Sequence, residues 1–130
     1  MKIVKIVPQC NLETLFDGRG GIFTWNPKEP IVEWNFMFIN PEKVRGNHYH
    51  REFDEYILIT SGNGVMLSRD SKDAKEEFLY LGKGDCVFVP RNTPHAFNAI
   101  TECTLVSLIT KRWDECNPPV IKDELTTKTH

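Results

Sequence analysis

The chain is predicted to fold as all-β, a sandwich or barrel of short strands, and three observations carry that prediction. Runs rich in β-branched and aromatic residues recur at short intervals along the 130 residues. Turn-forming sequences separate them: Asn40-Pro41, Gly62-Asn63-Gly64, Lys83-Gly84-Asp85 and Asn92-Thr93-Pro94. No segment holds an apolar helical period of useful length.

The elements follow in order as candidate strands over 2–7, 21–25, 32–39, 45–50, 55–60, 64–68, 77–81, 85–89, 95–100 and 104–110. Segment 2–7 is an ambiguous edge, with Lys2 and Lys5 among its apolar residues. In 32–39, Trp34, Phe36 and Phe38 alternate with Glu33, Asn35 and Met37, so one strand face is aromatic. Core packing is the expected role of that face, with a substrate-stacking wall as the alternative. Segment 71–77, with its mixed charges, reads as a solvated hairpin loop. After Thr110 the chain turns polar around Pro118-Pro119, so 1–115 is expected to form the barrel and 116–130 a surface tail.

Composition excludes several classes of function. A chain of this length with 40% hydrophobic residues can bury a core, and a single domain is the expectation. A formal net charge of −2 with interspersed signs gives no basic stripe, which argues against nucleic-acid binding. Cys10, Cys86, Cys103 and Cys116 form no C-x-x-C pair, and Cys86 and Cys103 lie in apolar runs, as expected of buried free thiols in a reducing compartment. The N-terminal sequence is too soon interrupted for a signal peptide and no apolar run is long enough to span a bilayer. A cytoplasmic protein without membrane partners is the expectation. Lys122-Asp123-Glu124-Leu125 spells a retention signal only in letters, because such signals are read at the chain end.

The chemistry concentrates in two stretches, 45–62 and 84–98. His48 and His50 are two apart, which on a strand points both imidazoles to one face and Tyr49 to the other. Glu55 opens the next strand and His95 follows a proline-rich turn, so a carboxylate and a third imidazole can converge on the pair. Any one of these residues alone would read as structural. Together they hold three of the four histidines, the fourth being His130. Three neutral imidazoles and a carboxylate suit a borderline divalent ion with positions left for water or substrate. Ligand type does not choose among Mn, Fe, Ni, Cu and Zn.

Gly46, His48, His50, Glu55 and Gly62, followed by Gly84, Pro90, His95 and Asn98, resemble the two motifs of the cupin superfamily. Gly46 stands closer to the first histidine than the pattern has it. Asn92 replaces a glycine after the proline, and Asn also tolerates the left-handed conformation. The resemblance implies a single-domain double-stranded β-helix, the jelly-roll barrel, with His48, His50, Glu55 and His95 as metal ligands. It also implies a homodimer.

Two further segments narrow the resemblance. Residues 15–23, with Phe16-Asp17-Gly18-Arg19-Gly20, look like a segment of the cupins that epimerise or ketoisomerise dTDP-4-keto-6-deoxy sugars. Arg45-Gly46-Asn47-His48-Tyr49-His50 is similar to the 3,4-ketoisomerases and to the cupin domain of capsule-sugar reductases. The alternative for 16–21 is a glycine turn with Asp17 and Arg19 paired at the surface. By resemblance, Arg19 and Arg45 would meet a substrate pyrophosphate. His48 and His50 would be the proton-transfer residues if no metal is bound, because an imidazole that ligates metal is not free to act as base. Where the ketoisomerase pattern has a glutamate this chain has Asp54, and Glu55 follows at the spacing of the superfamily's metal ligand, which favours the metal. Asp54 is then expected to face away and form a rim salt bridge. Tyr49 and Tyr56 have the wrong parity to supply an acid, which weakens the epimerase reading.

The expected function is a metal-binding isomerase or epimerase acting on a nucleotide-linked keto sugar. A metal-dependent dioxygenase of a small organic substrate and a non-catalytic sugar- or metabolite-binding cupin are the alternatives.

Overall fold

The computed structural model describes residues 1–8 and 18–125. The strands are β1 (Val4–Lys5), β2 (Glu33–Ile39), β3 (Val44–Tyr49), β4 (Glu55–Ser61), β5 (Asn63–Ser68), β6 (Glu77–Gly82), β7 (Cys86–Val89), β8 (His95–Ala99), β9 (Cys103–Ile109) and β10 (Ile121–Lys122). They form two five-stranded sheets, β1-β7-β4-β9-β2 and β10-β3-β8-β5-β6, antiparallel throughout. From β2 to β9 the chain crosses between the sheets at every connection except the β5–β6 hairpin, which is the winding of a double-stranded β-helix. No helix among the described residues is long and apolar enough to cross a membrane.

The packed end of the barrel is built by inward residues of both sheets: Ile57 and Ile59 on β4, Met66 on β5, Phe97 and Ala99 on β8, and Cys103 and Leu105 on β9. Closer to the other end the same strands turn polar inward, at Glu55, His95 and Ser107, all buried. One barrel therefore has an apolar plug and a polar, hollow mouth. Cys86 and Cys103 are free and buried, as their apolar surroundings suggest, and burial pushes the Cys86 thiol up to about 11. Cys10 lies outside the described residues.

Three expectations need correction. Segment 21–25 forms no strand and holds one isolated bridge, at Thr24, with another just before it at Gly20. It is tethered instead through side chains: Trp25 Nε1 donates to the Ile6 carbonyl at 2.9 Å. The aromatic face of β2 is not core, because Trp34, Phe36 and Phe38 are 76%, 69% and 63% exposed; Glu33, Asn35 and Met37 line the hollow, with Phe36 and Phe38 contributing to its margin. A wet cavity behind an edge strand accepts the polar side of that strand, which sends the rings outward. Residues 120–125 do not simply run over the surface as part of a tail. β10 pairs with β3 in the register Ile121↔Tyr49 and Lys122↔His48, and Leu125 is buried against Leu67 and Ala96.

Candidate functional site

Two neighbouring strands carry the histidines. On β8, His95 and Phe97 point inward, and their β3 partners are His48 and Arg45. Regular alternation would place residues 45 and 48 on opposite faces. A β-bulge between Gly46 and His48 adds one residue and brings Arg45 and His48 to the same side. Gly46 (φ 112°) and Asn47 (φ 59°) both adopt positive φ there. A Cβ on Gly46 would stand 2.7 Å from the His95 carbonyl oxygen, so glycine lets β3 approach β8. Asn92, with φ 63°, takes the left-handed conformation expected of it, and its N–H donates to the His50 carbonyl at 2.7 Å.

The imidazoles of His48, His50 and His95 converge, with one ligand atom from each within 4.8 Å of the others. His50 and His95 are buried and His48 is half-buried toward the cavity. Glu55 Oε1 lies 3.3 Å from His50 Nε2 and 3.6 Å from His95 Nε2. Two atoms each about 2.1 Å from one ion are at most about 4.2 Å apart, so both separations allow a shared ion.

Electrostatics supports the same donor set. His48 is lowered to about 4, by burial first and then by the neighbouring His95 and His50, with Glu55 opposing. His95 is lowered by burial, partly offset by Glu55. Both imidazoles are held neutral, the state that ligates metal. Burial alone would raise Glu55, but the His50 ring 3.3 Å away, the fields of His95 and His50, and the Ser107 hydrogen bond outweigh it and hold the carboxyl at about 2.

The outer nitrogens fix the rings. His95 Nδ1 donates to the Thr93 carbonyl at 2.9 Å and His50 Nδ1 to the Pro119 carbonyl at 3.0 Å. A carbonyl only accepts, so the proton sits on Nδ1 and, in the neutral ring, the Nε2 lone pair faces the site. His50 Nε2 and Glu55 Oε1 are buried without a hydrogen-bond partner. A cation between them, or a second proton on His50, would satisfy both. The residues present therefore fit a divalent ion held by His48, His50 and His95, with Glu55 touching two of the three.

These groups open into a cavity of about 910 Å³. Phe53 stacks on His50 with ring centroids 4.3 Å apart, and Trp113 meets the His50 ring edge-on at 6.2 Å. Lys43 and Arg45 also line the cavity, and neither side chain has a carboxylate partner among the described residues. Asp54 faces away and pairs with Arg91, 3.6 Å from Nε, in the rim role expected of it. None of the tyrosines 49, 56 and 80 lines the cavity.

The structure thus brings His48, His50, Glu55, His95 and Arg45 together. Arg19 lies in an exposed turn outside the lining, and residues 15–17 of its glycine-rich segment lie outside the described residues. Phe53, Ser107, Trp113 and Lys43 were not foreseen. Ser107 was findable as the one hydroxyl inside the apolar run 105–109, and Lys43 by its spacing from Arg45.

Two five-stranded antiparallel sheets wound as a double-stranded β-helix with a histidine-rich mouth define the jelly-roll class of β-barrels. Within it the chain belongs to the cupin family: residues 35–109 match the cupin domain model. No curated protein sequence matches the chain. Among solved structures it is similar to a 3,4-ketoisomerase from Helicobacter canadensis, at 16% identity over 95% of this chain and 92% of that one, with a TM-score of 0.78. It is also similar to the capsular polysaccharide assembling protein CapF from Staphylococcus aureus, at 20% identity and a TM-score of 0.68. That match covers 96% of this chain and 33% of CapF, so the chain spans a third of that protein's length. A dTDP-4-dehydrorhamnose 3,5-epimerase from Sulfolobus tokodaii matches at 19% identity, covering 86% of this chain and 72% of that one, with a TM-score of 0.66. At these identities the likeness speaks for the fold.

Proposed function

We propose that this cupin binds a divalent transition metal through His48, His50, His95 and Glu55 and acts as an isomerase or epimerase on a nucleotide-linked keto sugar. The observation that carries the reading is the pairing of two features in one cavity: a three-imidazole cluster with Glu55 against two of its rings, and the uncompensated cations Lys43 and Arg45 on the same lining. Two cations without partners suit a pyrophosphate, and a neighbouring polar wall of Glu33 and Asn35 suits sugar hydroxyls. Several similar structures are of 3,4-ketoisomerases, one of them in complex with TDP-4-keto-6-deoxyglucose.

When bound, the ion supplies Lewis-acid polarisation of a ketone oxygen. The chain's own residues do the rest. Lys43 and Arg45 hold the anionic end, and Phe53 and Trp113 shield the His50 side of the cluster from water. If no ion binds, His48 and His50 are the proton-transfer residues, and Arg19 is a second candidate for the pyrophosphate. A homodimer fits the same reading. Trp34, Phe36 and Phe38 together expose roughly 400 Å² of apolar ring surface on β2, a large part of what one partner contributes to a standard interface.

The test is incubation of the metal-reconstituted protein with TDP-4-keto-6-deoxyglucose in D2O, followed by proton NMR. Loss of a sugar C–H signal next to the ketone, or a new keto isomer, is expected. Binding without exchange would assign a non-catalytic metabolite-binding cupin, and oxygen consumption with a small organic substrate would assign the dioxygenase.

A further inference from the structure

The chain beyond the single 3-10 turn at Trp113–Glu115 is fastened to the barrel at several points. The Asn117 N–H donates to Glu52 Oε2 at 2.7 Å. β10 pairs with β3, the Asp123 N–H donates to the Asn47 carbonyl at 2.9 Å, and the Leu125 N–H donates to Asn47 Oδ1 at 3.0 Å. The Leu125 side chain packs on Leu67 and Ala96, with Val44 and Val65 around them. Arg69, just after β5, is ion-paired with Asp123 and donates to the Glu124 carbonyl at 3.4 Å. Between the first anchor and β10 lies Pro119, whose carbonyl accepts the His50 Nδ1–H.

We infer that the segment 117–125 is a strap whose docking positions His50: Pro119 selects the ring tautomer, and Asn47, Arg69 and Leu125 hold Pro119 in place. The chemistry at the contact allows one arrangement. Pro118 and Pro119 carry no N–H, so this part of the strap offers His50 acceptors and no donor. The bond therefore requires the proton on Nδ1, which keeps Nε2 of the neutral ring bare toward Glu55 and His95. Phe53 stacked on the ring fixes its plane.

His95 makes a useful contrast. Its acceptor, the Thr93 carbonyl, lies two residues away in its own turn, whereas Pro119 is 69 residues from His50. Loosening the strap should free one histidine of the cluster and leave the other fixed. Arg69, Asn47 and Leu125 are positioning residues, acting on the site through the Pro119 carbonyl. The inference concerns the tautomer of an imidazole and stands whether the site works with a metal or by acid/base chemistry, so it can fail independently of the proposed function.

The experiment is long-range 1H–15N NMR of the imidazoles in the full-length, metal-free protein, comparing the wild type with Arg69→Met, Leu125→Ala and Arg69→Lys. In the wild type, His50 and His95 should both carry their proton on Nδ1. Arg69→Met and Leu125→Ala should lose the fixed Nδ1–H pattern of His50, giving a mixture of tautomers, while His95 keeps its own. Arg69→Lys, which preserves the charge facing Asp123, should retain the wild-type pattern. A wild-type His50 protonated on Nε2 alone, an unchanged His50 in both weakening variants, or a loss at His50 and His95 together in both would overturn the inference.

Discussion

Ser107 Oγ donates a 2.5 Å hydrogen bond to Glu55 Oε2 from the adjacent strand β9, and this bond turns the other carboxylate oxygen toward His50 and His95. Both residues are buried, so the bond is charge-assisted and shielded from water. Ser107→Ala should cost about 1.5–3 kcal/mol of stability and weaken metal binding about 10- to 100-fold. Denaturant unfolding and competition with a chromophoric chelator measure the two effects. An unchanged metal affinity would detach Glu55 from the ligand set.

Gly46→Ala tests the bulge that faces Arg45 and His48 the same way. The added Cβ meets the His95 carbonyl oxygen at 2.7 Å and the Ala96 Cα at 2.9 Å, with φ at 112°. Backbone rather than flexible side chain must yield, so a loss of about 2 kcal/mol or more is expected. Metal and anion binding should fall together because one distortion moves both residues. A variant of wild-type stability would show that β3 can leave β8 without penalty.

Most of the architecture was legible because strands advertise themselves through alternation and turn chemistry. The boundaries of β4, β5 and β9 follow directly from apolar runs ended by glycine-containing or polar turns, and the four site residues follow from strand parity joined to the cupin resemblance. Two things were hidden for physical reasons. Parity arguments assume an unbroken pleat, so the bulge at Gly46-Asn47, which places Arg45 beside His48, could not be counted through. The direction of β2 depends on whether the space behind it is filled or wet, and alternation alone reads identically for Trp34 inward and Trp34 outward. The docking of 120–125 was hidden because β10 is only two residues long and its register is set by Asn47 and Arg69, far away in sequence.

The metal-free protein should be acid-sensitive in a defined window. His48 sits at about 4 when folded against an ordinary value of 6.5, so the unfolded chain binds more protons between those limits. Its contribution is complete above about pH 6.5 and declines as pH falls toward 4. Glu55 adds stability above its ordinary 4.5 that is lost as pH falls toward 2. Urea midpoints of the chelated protein should therefore drop from pH 7 to pH 4.5, and His48→Asn should flatten that part of the profile. A wild-type midpoint constant across this range contradicts the burial of a neutral His48.

The outward rings of β2 make a separate prediction about assembly. Wild-type protein should sediment as a dimer at high micromolar concentration, and Trp34→Ser with Phe36→Ser should give a folded monomer, because neither ring belongs to the packed core. A monomeric wild type would leave the aromatic face without the partner assigned to it.

The chemistry proposed for the cavity depends on His48, His50, His95 and Glu55 holding one divalent ion. Its most direct test is elemental analysis of the untagged protein, purified without chelator and again after reconstitution with each of Mn, Fe, Ni, Cu and Zn, beside a His48→Ala, His50→Ala double variant treated identically. Close to one ion per chain is expected in the wild type and none in the variant. A wild type that stays metal-free after every reconstitution would contradict it and return His48 and His50 to acid/base roles.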